Sequence, residues 1–145
     1  MSNRSRRILL IIALLAVAGV AVSSLSLAHH YAKSKSSYCD FGETFNCDMV
    51  NRSVYSVVMG VPVALIGVVG YLALLALATV YRAKAETPVM LFIAALAGLA
   101  FALYLTYVEA FVLVVWCILC LSSLTLIFAI TMLSSILFVY SRRSA

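Results

Sequence analysis

The sequence predicts an all-α integral membrane protein: a four-transmembrane-helix bundle with an extracytoplasmic loop bearing a cysteine pair. Three observations predict it. Of the 145 residues, 66% are hydrophobic and only 10% are charged, against roughly 25% charged in a soluble domain. The apolar residues gather into four runs that reach the ~20 residues needed to cross a bilayer core. The basic residues flank those runs in an order that assigns each loop a side.

The first run spans Ile8 to Ala28, after Arg4, Arg6 and Arg7. A basic start, an apolar middle and small residues near the end also describe a secretory signal peptide. The run is long for that purpose, so it is read as a retained helix; cleavage would leave the sidedness of the rest unchanged. The second run spans Val57 to Val80, with Pro62 suited to a helix start and Gly60, Gly67 and Gly70 suited to close helix packing. The third spans Val89 to Val108 and the fourth Val115 to Tyr140. Strand alternation is absent, and a backbone in lipid must satisfy its own hydrogen bonds, so all four are read as helices. They use nearly the whole chain, which is therefore expected to be one catalytic domain over 1–145 with no soluble domain and no internal repeat.

The net charge is +5. If the spans alternate, Arg4, Arg6, Arg7, Arg82, Lys84, Arg142 and Arg143 share one side. Lys33, Lys35 and Arg52 lie on the other, offset by Asp40, Glu43 and Asp48. The positive-inside rule places both termini in the cytoplasm. Short basic flanks of membrane spans point to lipid as the partner and not to nucleic acid.

This topology puts all four cysteines on the extracytoplasmic (periplasmic or lumenal) side, where disulfides persist. Cys39 and Cys47 lie in a polar loop with seven residues between them. A disulfide closing so small a ring stabilises modestly and exchanges readily. Cys117 and Cys120 form a C-x-x-C where the fourth helix starts. Free N–H groups and the helix dipole there favour an anion, which raises the reactive thiolate fraction. Cys120 lies one turn deeper, toward lipid. Two pairs on one face permit a relay, in which a soluble thiol protein reduces the loop pair and the loop pair exchanges with the C-x-x-C. An oil-soluble quinone then takes the electrons, by thiolate attack on its ring and resolution by the neighbouring thiol. Two inert disulfides in a structural tetraspan protein are the alternative from another class. A zinc site of four thiolates has a plausible ligand count, but the compartment favours disulfides and no metal is expected. Covalent haem attachment needs C-x-x-C-H, and Leu121 stands in place of the His.

Three stretches carry a resemblance to a known family: "CDFGETFNCDMVNRSVYSVVMGVPVALIGVVGY", "YLTYVEAFVLVVWC" and "CILC". Over about Cys39 to the end of the chain, the sequence resembles the vitamin K epoxide reductase family, with the loop pair first and the C-x-x-C last. The resemblance implies a bundle around a quinone pocket, of ubiquinone, menaquinone or vitamin K type. It implies that Cys117 and Cys120 are the active-site pair with Cys120 facing the quinone, that Cys39 and Cys47 shuttle electrons, and that Cys47 partners Cys117. It places Ser53 near the pocket, although a loop Ser beside Arg52 also suits a turn or cap. Animal members hold vitamin K with an Asn and a Tyr; the corresponding positions here are Ser56 and Leu124, which suits a microbial member using an ordinary quinone. No fused thioredoxin-like domain is expected, so the partner would be a separate soluble thioredoxin-fold thiol oxidase. Reduction of vitamin K or its epoxide is the alternative within the enzyme class.

Two further residues bear on the pocket. Glu109 is an acid near the outer end of the third span, eight residues before Cys117. At membrane depth it would accept a proton in quinone chemistry; at the headgroup level it would simply be solvated. Trp116 would either line the quinone pocket or anchor the interface.

Overall fold

The computed structural model describes residues 2–31 and 54–144. Among the described residues, four helices make the bundle: α1 (Asn3–Tyr31), α2 (Val63–Thr79), α3 (Thr87–Val108) and α4 (Ile118–Ser144). Cys39, Cys47 and Ser53 fall outside the described residues. Among the described residues, three segments are long and apolar enough to cross a membrane: Asn3–Ala28, Thr87–Leu113 and Ile118–Ser144. The helix α2 is apolar but has 17 residues, or roughly 25 Å at the usual rise per residue, a little under the ~30 Å hydrocarbon core.

The expected second span, Val57 to Val80, is helical only from Val63. Before it, β1 (Val57–Val58) pairs antiparallel with β2 (Val61–Pro62), in the register Val57↔Pro62 and Val58↔Val61. Met59 and Gly60 make the two-residue turn, at φ 52° and 83°, as a primed hairpin turn requires. Gly60 thus serves a turn and not helix packing. Valines suit the pleated conformation. Pro62, with no N–H to place in a helix, stands at the N-cap of α2.

Within the bundle, α1 packs against α2 and α4, and α3 packs against α4, whereas α2 and α3 touch much less. The core holds Ile12, Ala16, Leu91, Ala95 and Ile130, all with no exposed surface. Small residues at these contacts let the backbones approach. Outward-facing Leu10, Leu14, Val69 and Ile93 are exposed, as suits helices that are apolar all round. At one end of the bundle, a polar cleft gathers Ser2 and Ser5 of the N-terminal region, Arg82 and Lys84 of the α2–α3 link, and Ser141 and Ser144 of α4. Thr87 Oγ1 donates to the Tyr81 carbonyl and closes that link. The C-x-x-C lies at the opposite end.

Tyr71 ties three helices together. It is buried on α2, and its hydroxyl meets both the carbonyl oxygen and Oγ of Ser123 on α4 at 2.9 Å. Its ring lies against Gly19 of α1, where an added Cβ would come within 2.2 Å of ring carbon Cδ1. A ring held at both ends cannot yield without losing those hydrogen bonds. Gly19→Ala is therefore expected to destabilise the bundle by about 1–3 kcal/mol, the usual cost of overpacking. Reversible unfolding in mixed micelles checks this, and an unchanged midpoint would mean that the ring moves freely.

Candidate functional site

The site is built by the turn between α3 and α4. The backbone passes from α3 into one π-helical turn, Glu109–Leu113, and then into Val114 at φ 53°. Single π turns are rare and recur at functional sites. A β-branched residue at positive φ is strained, at about 1–3 kcal/mol. The turn reverses the chain, so that the Cys117 N–H donates to Glu109 Oε2 at 3.2 Å. Both residues are sealed, at 0% and 1% exposure. Glu109 is the one buried charged residue among those described, and its Oε1 has no hydrogen-bond partner among them.

The fourth helix begins at Ile118 and not at Val115. The Cys117 carbonyl accepts the Leu121 N–H at 3.0 Å, so Cys117 stands just before the helix and Cys120 falls in its first turn. The two cysteine side chains are hydrogen-bonded, and the Cys120 side chain also meets the Glu109 carboxyl. Cys117 lies between the two long apolar segments. Its thiol is held below the ordinary cysteine pKa, first by the Cys120 hydrogen bond and then by the Cys120 and Leu119 backbone N–H groups, against burial. The helix-start argument from the sequence therefore has a counterpart in the N–H groups, but the partner cysteine is the larger cause.

A lowered pKa puts thiolate, and hence reactivity, at lower pH. In a protein lacking Cys39 and Cys47, the pH midpoint for Cys117 modification by a small thiosulfonate is expected below that of an ordinary cysteine. Cys120→Ala removes the main cause and should move the midpoint up. A midpoint that stays put would show that Cys120 does not stabilise the thiolate.

Cys120 opens onto a cavity of about 400 Å³ that reaches between α2 and α3, within the usual size range of small-molecule sites. Its walls are mainly apolar, with Leu74, Phe101, Leu105, Leu119 and Ile127 among them. The polar groups on it include Cys120, Glu109, Ser56, Tyr71 and Ser123. Of the residues singled out in the sequence for the pocket, Cys120, Glu109 and Ser56 border this cavity, and Gly67 and Gly70 of α2 border it too. Cys117 sits behind Cys120 and is not on the wall. Trp116 is half-buried and does not border the cavity; burial alternates along Val115, Trp116 and Cys117, and Trp116 is the outward member. Leu124 also lies off the wall. Tyr71 and Ser123 were not anticipated. Ser123 had a signal, three residues after Cys120 and therefore on the same helix face. Tyr71 had none, since its partner is 52 residues away.

Such an arrangement can do thiol–disulfide chemistry beside an apolar compartment. Two sulfurs can close a disulfide, and the inner sulfur reaches a chamber suited to a flat, lipid-soluble ring. The model of the vitamin K epoxide reductase family matches residues 10–135, most of the chain. No individual curated protein matches it.

Proposed function

The chain belongs to the vitamin K epoxide reductase family, a family of membrane oxidoreductases, and from that premise we propose that it couples disulfide-bond formation in a soluble thioredoxin-fold partner to reduction of a membrane quinone. The single observation that carries this reading is that Cys120, alone of the C-x-x-C pair, opens into an apolar cavity, while Cys117 is sealed behind it. One sulfur faces the place where an apolar oxidant would bind, and the other is placed to resolve. The donor set fits a quinone: apolar walls for the ring and tail, and a few hydroxyl and carboxyl groups for its carbonyl oxygens.

When bound, the quinone would supply a two-electron, two-proton sink. The protein does the rest. Cys120 presents its sulfur to the ring. Cys117, the more acidic thiol, attacks the Cys120 sulfur and closes the disulfide. Tyr71 and Ser123 lie one turn below Cys120, where their hydroxyls would orient a carbonyl oxygen. The loop pair Cys39 and Cys47 then re-reduces Cys117–Cys120 and is itself reduced by the partner. The bundle would sit with both termini in the cytoplasm, in keeping with the basic cleft at the end opposite the cysteines.

The test is quinone-dependent oxidation of a small dithiol by the purified protein in detergent, with and without the Cys120 sulfur. Turnover that needs this sulfur supports the reading. A wild-type protein that oxidises no dithiol with ubiquinone, menaquinone or vitamin K analogues refutes it.

A further inference from the structure

Glu109 has a feature that lining a pocket does not explain. It is 1% exposed, and its two carboxyl oxygens are used unequally. Oε2 accepts the Cys117 N–H at 3.2 Å. Oε1 has no partner among the described residues, on a side chain that borders the cavity and meets Cys120. A buried polar atom left unpaired carries a desolvation cost, and such groups at membrane depth mark function more often than structure. If the carboxyl served only to hold the Cys117 N–H, an Asn, a Gln or a backbone carbonyl would do so without an unpaired acid oxygen.

We propose that Glu109 is the proton donor of the thiol–quinone step, with Oε2 anchored by the Cys117 N–H and Oε1 carrying the proton into the cavity. The proposal rests on the reading of the chain as a quinone reductase. As the Cys117–Cys120 bond forms, the two thiols give up two electrons and two protons. The quinone gains both electrons, and each carbonyl oxygen gains a proton to become a hydroxyl. The chamber walls are mainly apolar, so a carboxyl beside the sulfurs is the group placed to carry both protons. Glu109 gives the first from Oε1, takes the proton of one thiol, gives that as the second, and takes the proton of the other thiol. It starts and ends protonated, and atoms and electrons balance. Its contact with Cys120 makes it a catalytic residue in this step.

The test uses Glu109→Gln in the full chain. The substitution is isosteric, and the amide oxygen can still accept the Cys117 N–H, so the turn is kept. Infrared difference spectra of the quinone-free protein should show a protonated-carboxyl stretch that Glu109→Gln removes. With a small dithiol and quinone, kcat should fall roughly 10²-fold, the lower end of what a positioned acid contributes, with KM unchanged and a larger solvent deuterium isotope effect. Exchange of Cys117 with a small disulfide should be unaltered. An absent carboxyl band, or a variant with wild-type kcat, overturns the proton role alone. Parallel losses of Cys117 exchange and kcat overturn it in favour of a positioning role through the Cys117 N–H. A wild-type protein that reduces no quinone overturns the underlying reading, and this proposal with it.

Discussion

Cys120→Ala is expected to abolish quinone reduction with every electron donor, by at least roughly 10³-fold, because it removes the nucleophile and not merely a binding contact. The expectation follows from the walls of the cavity. Among the described residues Cys120 is the only cysteine on them, and Cys117 is buried behind it with no exposed surface. No other described sulfur is placed to reach a ring in the chamber. Packing does not account for so large a loss, since Cys to Ala at a half-buried helical site removes one atom and leaves the helix propensity intact. The variant should still unfold near the wild-type midpoint. Coupled assays of hydroquinone formation, beside an unfolding curve, separate the two effects. A variant that stays active while losing stability would make the pair a static disulfide site.

The second large effect is expected in the loop. Cys39→Ala and Cys47→Ala should each lower the rate with a reduced thioredoxin-fold donor by at least about 10²-fold, since the relay replaces an encounter between proteins with exchange inside one chain. With a small dithiol both variants should retain near wild-type turnover. The reason is access: Cys117 is fully buried, so a folded partner has no route to it, whereas a small dithiol can enter through the cavity and reach Cys120. Steady-state rates with the two donors, compared across the variants, give the result directly. Equal losses with both donors would place the loop cysteines in the fold and not in the relay.

Much of this was legible in the sequence for simple reasons. Apolar length marks helices in lipid, so the segments around Ile8 to Ala28, Val89 to Val108 and Val115 to Tyr140 were visible, with helix ends shifted by a few residues. Cys117 and Cys120 stand together in the chain as a C-x-x-C, and their side chains meet across the start of α4. The hairpin at Val57–Pro62 was not legible as such. "VVMGVP" is as apolar as a helix, and hydropathy does not separate a strand from a helix within an apolar run; the Met59–Gly60 turn and Pro62 were the local signals that could have divided it. Glu109 illustrates a different limit. Its nearness to Cys117 in the chain was plain, but its burial depends on a π turn and on Val114 at positive φ, neither of which has a residue signature here. Tyr71 was illegible because its role arises from Gly19 and Ser123, one on each neighbouring helix. Trp116, beside Cys117 in the chain, reads equally as a pocket residue or an interface anchor, and the alternation of burial along the turn carries it away from the wall.

The central claim is that electrons leave the protein through Cys120 as the Cys117–Cys120 disulfide forms. A single-turnover experiment tests it most directly: protein with Cys39 and Cys47 replaced by Ser, fully reduced and freed of reductant, is mixed anaerobically with excess quinone. The account predicts one hydroquinone per protein molecule and a disulfide joining Cys117 to Cys120 by peptide mass mapping, both lost in Cys120→Ala. Hydroquinone without that disulfide, or no hydroquinone from protein shown to be reduced and folded, would contradict it.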